Sequence, residues 1–365
     1  QSPSDLRHVR CFHHDSAVLL PDHEGESDDA RITGLAVIRA ALAHGRENPS
    51  QQLLVCGHTD TTGSNAYNLE LSGRRARAVR AVLVGDRDAW VAGCQEKHQV
   101  GDVQQIMAWA RNVYGWDCDP GVVDGLTGPK TRAAVEAYQG AYNQAFSASI
   151  GVDGLVGPQT WGAVFDTYTR VVAYALDTTT DELGPWRSAL EFLGDGAVGC
   201  GESHPVEGAG EDDSRSAANR RVELLFFDPE EVPALACHDG GACDPSACTL
   251  YGEQAEISFR RVPVEPIPYG TGTVTIRTDI GLNELEGEDL YRLAADDGTF
   301  EATLSSQDDR LPDDDWLDLR FEGVPTAARF TLTARDPDGN VETIFSGVSF
   351  ASLHTLSSDV LEEDR

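Results

Sequence analysis

The chain has 365 residues, enough for two or three domains. Its 61 acidic residues stand against 28 basic ones, a net charge of −33. That argues against nucleic acid and anionic membrane as partners, because both need a positive face. No apolar run approaches the roughly eighteen residues of a membrane-spanning helix. The chain opens at Gln1 rather than at a methionine, so a processed or trimmed N-terminus is expected.

In chain order, residues 16–20 read as a first strand and 32–44 as a first helix, with Ile32, Leu35, Ala36, Ile38, Ala41 and Leu42 on its apolar face. Residues 52–56 predict a second strand, which ends at the turn Gly57-His58-Thr59-Asp60. A polar loop with Gly63 follows, and then a helix over 64–84. Ser64 suits its N-cap, since the hydroxyl can accept from an unpaired backbone N–H. Leu69, Ser72, Ala76, Val79 and Leu83 form the core-facing stripe. Asn68 and Arg75, seven apart, share the face beside it. Arg74 has Glu70 four residues before it as a surface partner, whereas Arg75 has no such local partner. An acid at a strand end and an arginine on the next helix can face each other across a small pocket. Such a pocket suits a ligand that carries both an ammonium and a carboxylate. On the residues alone, a loop-capping role for Asp60 and a solvated one for Arg75 stay open.

GHTDTTGSNAYNLELSGRRARAV resembles the OmpA C-terminal-like family, whose pattern is roughly G-H/Y-T-D-x-x-G-x-x-x-Y-N-x-x-L-S-x-x-R-A. Gly57, Thr59, Asp60, Gly63, Tyr67, Asn68, Leu71, Ser72, Arg75 and Ala76 all fall on it. The resemblance implies an α+β fold with a βαβαββ order and anchoring to peptidoglycan. It also implies that Asp60 takes the amino group of the stem peptide's diaminopimelate and Arg75 its carboxylate. Thr62 and Asn68 would be supporting contacts.

The family's ending is delayed. Between residues 95 and 190 lies a segment with an internal repeat: VDGLTGPKT at 123–131 recurs as VDGLVGPQT at 152–160. Each copy is a Gly-bearing turn with Pro at a helix start, predicting helices over 131–139 and 160–169. With Val103-Gln104-Gln105-Ile106 upstream, this insert resembles the peptidoglycan-binding domain 1 family, a three-helix module. A helical spacer is the plainer alternative. Each module is expected to have its own core. The run 197–205 (AVGCGESHP) then resembles the first family's G-x-G-E-x-x-P turn, and 219–224 (NRRVEL) its closing strand.

The expected domains are an OmpA-like part at 11–94, the insert at 95–190, the second OmpA-like part at 191–228 and a Cys-bearing linker at 229–249. A β-sandwich at 250–352 and an acidic tail at 353–365 complete the chain. The sandwich rests on alternating runs at 273–277, 290–293, 300–304, 316–321, 328–334 and 341–348, separated by Asp- and Gly-rich turns. It faintly resembles small β-domains of spike and baseplate proteins.

Eight cysteines, Cys11, Cys56, Cys94, Cys118, Cys200, Cys237, Cys243 and Cys248, fit an oxidising compartment. Cys56 reads as a small apolar residue of a buried strand. A disulfide is expected among Cys200, Cys237, Cys243 and Cys248. Zinc on Cys237, His238, Cys243 and Cys248 is the alternative, with an awkward adjacent Cys-His pair. A zinc-dependent cell-wall hydrolase using His58 and Asp60 lacks any paired-histidine spacing.

The reading is therefore a non-enzymatic protein without cofactor or metal ligands, associated with the cell envelope in the periplasm or at the outer membrane. Its expected partner is diaminopimelate-type peptidoglycan, with an envelope or injection-machine protein as a further partner of the sandwich. A structural component of a secretion or contractile injection machine that docks on the wall is the rival.

Overall fold

The computed structural model describes residues 8–9, 12–21, 33–233, 267, 271–279, 290–296, 298–305, 316–326, 328–349 and 353. Cys11, Cys237, Cys243, Cys248, His238 and the tail beyond 353 lie outside these residues. The N-terminal half runs β1 (His8–Val9), α1 (Gly34–Glu47), β2 (Gln52–Gly57), α2 (Asn65–Val84), α3 (Arg87–Glu96) and α4 (Val100–Tyr114). Next come α5 (Pro129–Phe146), α6 (Pro158–Ala175), α7 (Leu183–Ser188), β3 (Glu191–Gly199) and β4 (Val222–Phe227). The C-terminal strands are β5 (Thr271–Asp279), β6 (Leu290–Ala295), β7 (Glu301–Ser305), β8 (Trp316–Pro325), β9 (Arg329–Arg335) and β10 (Val341–Ser349). The mixture of helices and strands is that of an α+β protein. No described helix is long and apolar enough to cross a membrane.

The chain forms two compact units. The first comprises Gln1–Met107, Pro120–Arg132 and Leu155–Ile267. It holds a four-stranded sheet in the order β1-β4-β2-β3, with β3 parallel to β2 and β4 antiparallel to both β2 and β1. Strands β2 and β3 are thus brought side by side although more than a hundred residues separate them in sequence.

Helix α2 lies on these two strands, and its start follows from the sequence: Ser64 is the N-cap and its hydroxyl accepts from the Tyr67 N–H. Two glycines set how closely it lies. A Cβ at Gly57 would stand 1.9 Å from the Ser72 carbonyl oxygen, and one at Gly199 2.6 Å from that of Leu69. Both obstacles are backbone, which cannot swing aside. We expect Gly57→Ala to push α2 off the sheet and lower stability by about 1–3 kcal/mol or more, read as a fall in the urea midpoint. An unchanged midpoint would contradict the close packing.

The first strand is not where the apolar run suggests. Residues 16–20 are buried but outside the ladder, and His8–Val9 pairs with β4 instead. The run's backbone groups are engaged elsewhere. The Ala17 N–H donates to the Lys97 carbonyl (3.1 Å), while the Ser16 and Leu19 carbonyls accept from Arg75 Nε (2.9 Å) and Tyr168 Oη (3.1 Å).

The repeat turns behave as braces. Gln104 Nε2 donates to Asp124 Oδ1 (2.9 Å) while its Oε1 accepts from the Gly125 N–H (2.8 Å). Gln139 does the same for Asp153 (3.1 Å) and Gly154 (3.0 Å). Both helices after the turns start at the proline and run longer than expected.

The insert does not keep its core to itself. Helix α6 packs on α1 and α3, and Trp90 of α3 is met by Trp161, Phe165 and Tyr168 of α6 at ring-centre distances of 5.7–5.9 Å. Arg39 Nε of α1 donates to the Ala175 carbonyl at 3.0 Å. The sequence reading places no helix at 87–96, yet that helix carries the centre of this cluster.

The second unit comprises Ala108–Asp119, Ala133–Gly154 and Pro268–Arg365. Its helical part clusters aromatic rings: Tyr114 stacks on Trp116 (4.6 Å), and Trp116 meets Tyr138 edge-on (5.3 Å). All six expected C-terminal strands form. They make two antiparallel sheets, β10-β9-β6-β7 and β5-β8, which share one buried cluster built on Val274, Leu293, Phe321, Phe330 and Leu332.

Candidate functional site

The turn after β2, the start of α2 and the residues before β4 converge in the first unit. Asp60 is 4% exposed. Its Oδ2 pairs with Arg220 Nη1 at 2.8 Å and accepts from the Ser216 N–H at 3.4 Å. Among the described residues Oδ1 accepts nothing, so half of the carboxylate is uncommitted.

Arg75 departs from expectation. Instead of facing a solvated pocket it is 0% exposed, because the segment before residue 20 folds over α2 and Phe12 lies under the guanidinium at 5.3 Å. Three N–H donors are spent on backbone carbonyls: Nε on Ser16 (2.9 Å), Nη1 on His58 (3.1 Å) and Nη2 on His13 (3.2 Å). A guanidinium has five N–H groups, so two remain. No described carboxylate forms an ion pair with it. Burial, and then the neighbouring Arg220, push its pKa down to about 10, against the pull of Asp60 and Asp102. The group stays charged at neutral pH.

Thr62 and Asn68 shape the rim. The Thr62 hydroxyl donates to the Ser214 carbonyl at 3.4 Å. Asn68 is buried; its Nδ2 donates to the Thr62 carbonyl (3.2 Å) and to Glu202 Oε2. Asn68 and Arg75 do share a face of α2, but it is a covered one. Arg74 is the surface arginine, paired with Glu70 at 2.7 Å and with Glu96 at 2.5 Å.

The run Asn219-Arg220-Arg221-Val222-Glu223 does more than close the sheet. The Asn219 side chain holds the backbone of Val206 and Glu207, and Arg220 reaches Asp60. Arg221 Nε binds Glu223 Oε1 at 2.7 Å, and Glu223 Oε2 stands 3.8 Å from His58 Nε2. Sequence reasoning missed Arg220 as a site residue. The signal was present in the doubled arginine, of which a strand needs neither. His58 thus turns to Glu223 while Asp60 turns to Arg220, which separates the two residues a zinc hydrolase would have used together. Among the described residues no group of three or more His, Cys, Asp or Glu is placed to hold a metal. Cys56, Cys94, Cys118 and Cys200 are all buried, and Cys200 is in no disulfide, which leaves the expected pairing to Cys237, Cys243 and Cys248, outside the described residues. Burial pushes the Cys118 thiol up to about 12.

Two cations and two carboxylates (Arg75, Arg220, Asp60, Asp102) are neighbours, three of them buried and Arg220 half-buried, with spare donors on Arg75 and a spare acceptor on Asp60. Such a set can hold a ligand that bears both an anion and a cation.

Residues 12–87 match the model of the OmpA family, and residues 100–164 match that of a putative peptidoglycan binding domain. Strands β3 and β4, which complete the first unit's sheet, lie beyond both stretches. A stretch of 41 residues, 11% of the chain, is 54% identical to outer membrane porin F of Pseudomonas aeruginosa and spans 12% of that protein's length. No solved structure matches the chain. The chain thus carries an OmpA-like segment followed by a segment similar to a putative peptidoglycan binding domain.

Proposed function

We propose that a chain carrying these two segments in tandem is a non-enzymatic, envelope-associated protein that holds an assembly to the cell wall by binding peptidoglycan non-covalently. In this reading the ligand is the zwitterionic end of diaminopimelate in the stem peptide. The carboxylate takes the two spare N–H groups of Arg75, which its complete burial makes reachable only on local opening of the cover, and the ammonium takes Oδ1 of Asp60. The observation that carries the reading is the buried Arg75 guanidinium, charged but without a carboxylate of its own. A buried cation held only by carbonyls is costly, and an incoming carboxylate relieves that cost. A zwitterion also adds no net charge to a cluster already balanced between two cations and two carboxylates.

We read the first unit's sheet and helices as the βαβαββ order interrupted at 95–190, and the C-terminal sheets as a sandwich. Both matched models are of anchoring or binding type rather than catalytic, and nothing in the cluster activates a nucleophile. Periplasm or outer membrane is the compartment this function needs. A second site in the insert would add avidity on a polymer.

Asp60→Asn tests the reading with little change in shape. It removes the charge that attracts the ammonium, so sedimentation with purified diaminopimelate-type sacculi should weaken about tenfold or more. Undiminished sedimentation, with the repeat turns of the insert then deleted and binding still intact, would overturn the assignment of Asp60.

A further inference from the structure

Arg75 is aimed by carbonyls that belong to residues 13–16, and that segment is not held by the OmpA-like elements alone. It is stitched to the stretch 97–102. The Ala17 N–H donates to the Lys97 carbonyl at 3.1 Å. Lys97 Nζ pairs with Asp15 Oδ1 at 2.8 Å, and Gln99 Nε2 donates to the Asp15 carbonyl at 2.9 Å.

At the end of this seam stands Asp102, in the first turn of α4 and 0% exposed. One of its oxygens accepts from the Gln99 N–H (2.6 Å), the back-bond of a helix cap. Capping needs neither complete burial nor further partners, yet both are present. Oδ2 also accepts from Ser16 Oγ at 2.7 Å, and Oδ1 bonds His13 Nδ1 at 2.9 Å. His13 and Ser16 are two of the three residues whose carbonyls hold the guanidinium. The neighbouring Gly101 keeps the approach open: a Cβ there would stand 3.3 Å from His13 Nδ1.

We propose that Asp102, supplied by the stretch that matches the putative peptidoglycan binding domain, is a positioning residue for Arg75. By gripping His13 and Ser16 it fixes the carbonyls that orient the guanidinium, so ligand recognition in the OmpA-like segment depends on the insert. The insert is then a structural part of the first site as well as a candidate second one. The proposal rests on Arg75 being the carboxylate receptor.

Asp102→Asn keeps the shape but offers one acceptor where three donors converge. In the full chain we expect sacculus binding to weaken about tenfold or more. In 1H–15N spectra the Arg75 Nε proton should exchange faster by a similar factor, while the β2 amides keep their protection. A merely structural loss would speed β2 exchange as well, and that result would overturn the positioning role. His13→Ala, which keeps the His13 carbonyl and removes only the ring bond, should shift both readouts in the same direction. It decides the matter if Asp102→Asn fails to fold. Wild-type binding and wild-type Nε exchange in the variants, with Arg75→Ala binding lost, would overturn the proposal. Binding retained by Arg75→Ala would instead sink the receptor reading, and the Nε exchange would still decide whether Asp102 orients Arg75.

Discussion

Arg75→Ala is expected to abolish sacculus binding by the OmpA-like site and to destabilise the first unit. The two effects have different origins. Loss of the proposed carboxylate receptor should cost about 2–5 kcal/mol of affinity, enough to remove sedimentation at micromolar protein. Loss of the side chain also leaves the carbonyls of His13, Ser16 and His58 without their donors and opens a cavity beside Phe12. We expect about 2–5 kcal/mol less stability from these together. Arg75→Lys separates the origins: it keeps the charge and loses the planar fork, so it should bind weakly even where it is folded. Binding must therefore be compared at a temperature where circular dichroism shows each variant native. A folded Arg75→Ala that sediments like wild type would remove Arg75 from the site.

The second large effect lies away from the site. Trp90 and Trp161 are both buried and meet edge to face at 5.9 Å, and Phe165 and Tyr168 close round Trp90. Trp161→Ala should cost about 3–5 kcal/mol, seen as a lower denaturant midpoint for the first unit. Deleting residues 95–190 and joining the ends with a Gly-Ser linker is more severe. It leaves Trp90 without the three rings and strips the 13–17 segment of Lys97, Gln99 and Asp102. We expect no cooperative transition of the first unit in that protein, and loss of the near-ultraviolet signal of Trp90. A sharp native-like transition would show that α6 is dispensable to the core.

Local pattern carried much of the fold. Ser64 as N-cap, the α2 stripe, strand β2 and the six C-terminal strands were legible because capping and periodicity act over a few residues. What could not be read depended on distant partners. Residues 16–20 have the composition of a strand, but their backbone groups serve Lys97, Arg75 and Tyr168, none of which a local window contains. Helix α3 offers only Trp90, Val91 and Cys94 to the core, too few for a stripe. Asp60 and Arg75 were legible as a motif, whereas their burial was not, because Phe12 and Arg220 arrive from opposite ends of the unit. Asp102 carries no signal of its own: only folding shows that a capping carboxylate also holds two residues of another segment.

The receptor account is tested most directly by isothermal titration of the full chain with a soluble stem peptide ending in meso-diaminopimelate, against the same peptide ending in lysine. The two ligands share the ammonium and differ in the carboxylate that Arg75 is proposed to hold. The account predicts measurable binding of the first, binding of the second weaker by about tenfold or more, and loss of this preference in Arg75→Lys. Equal affinity for both peptides in the wild-type chain would contradict it.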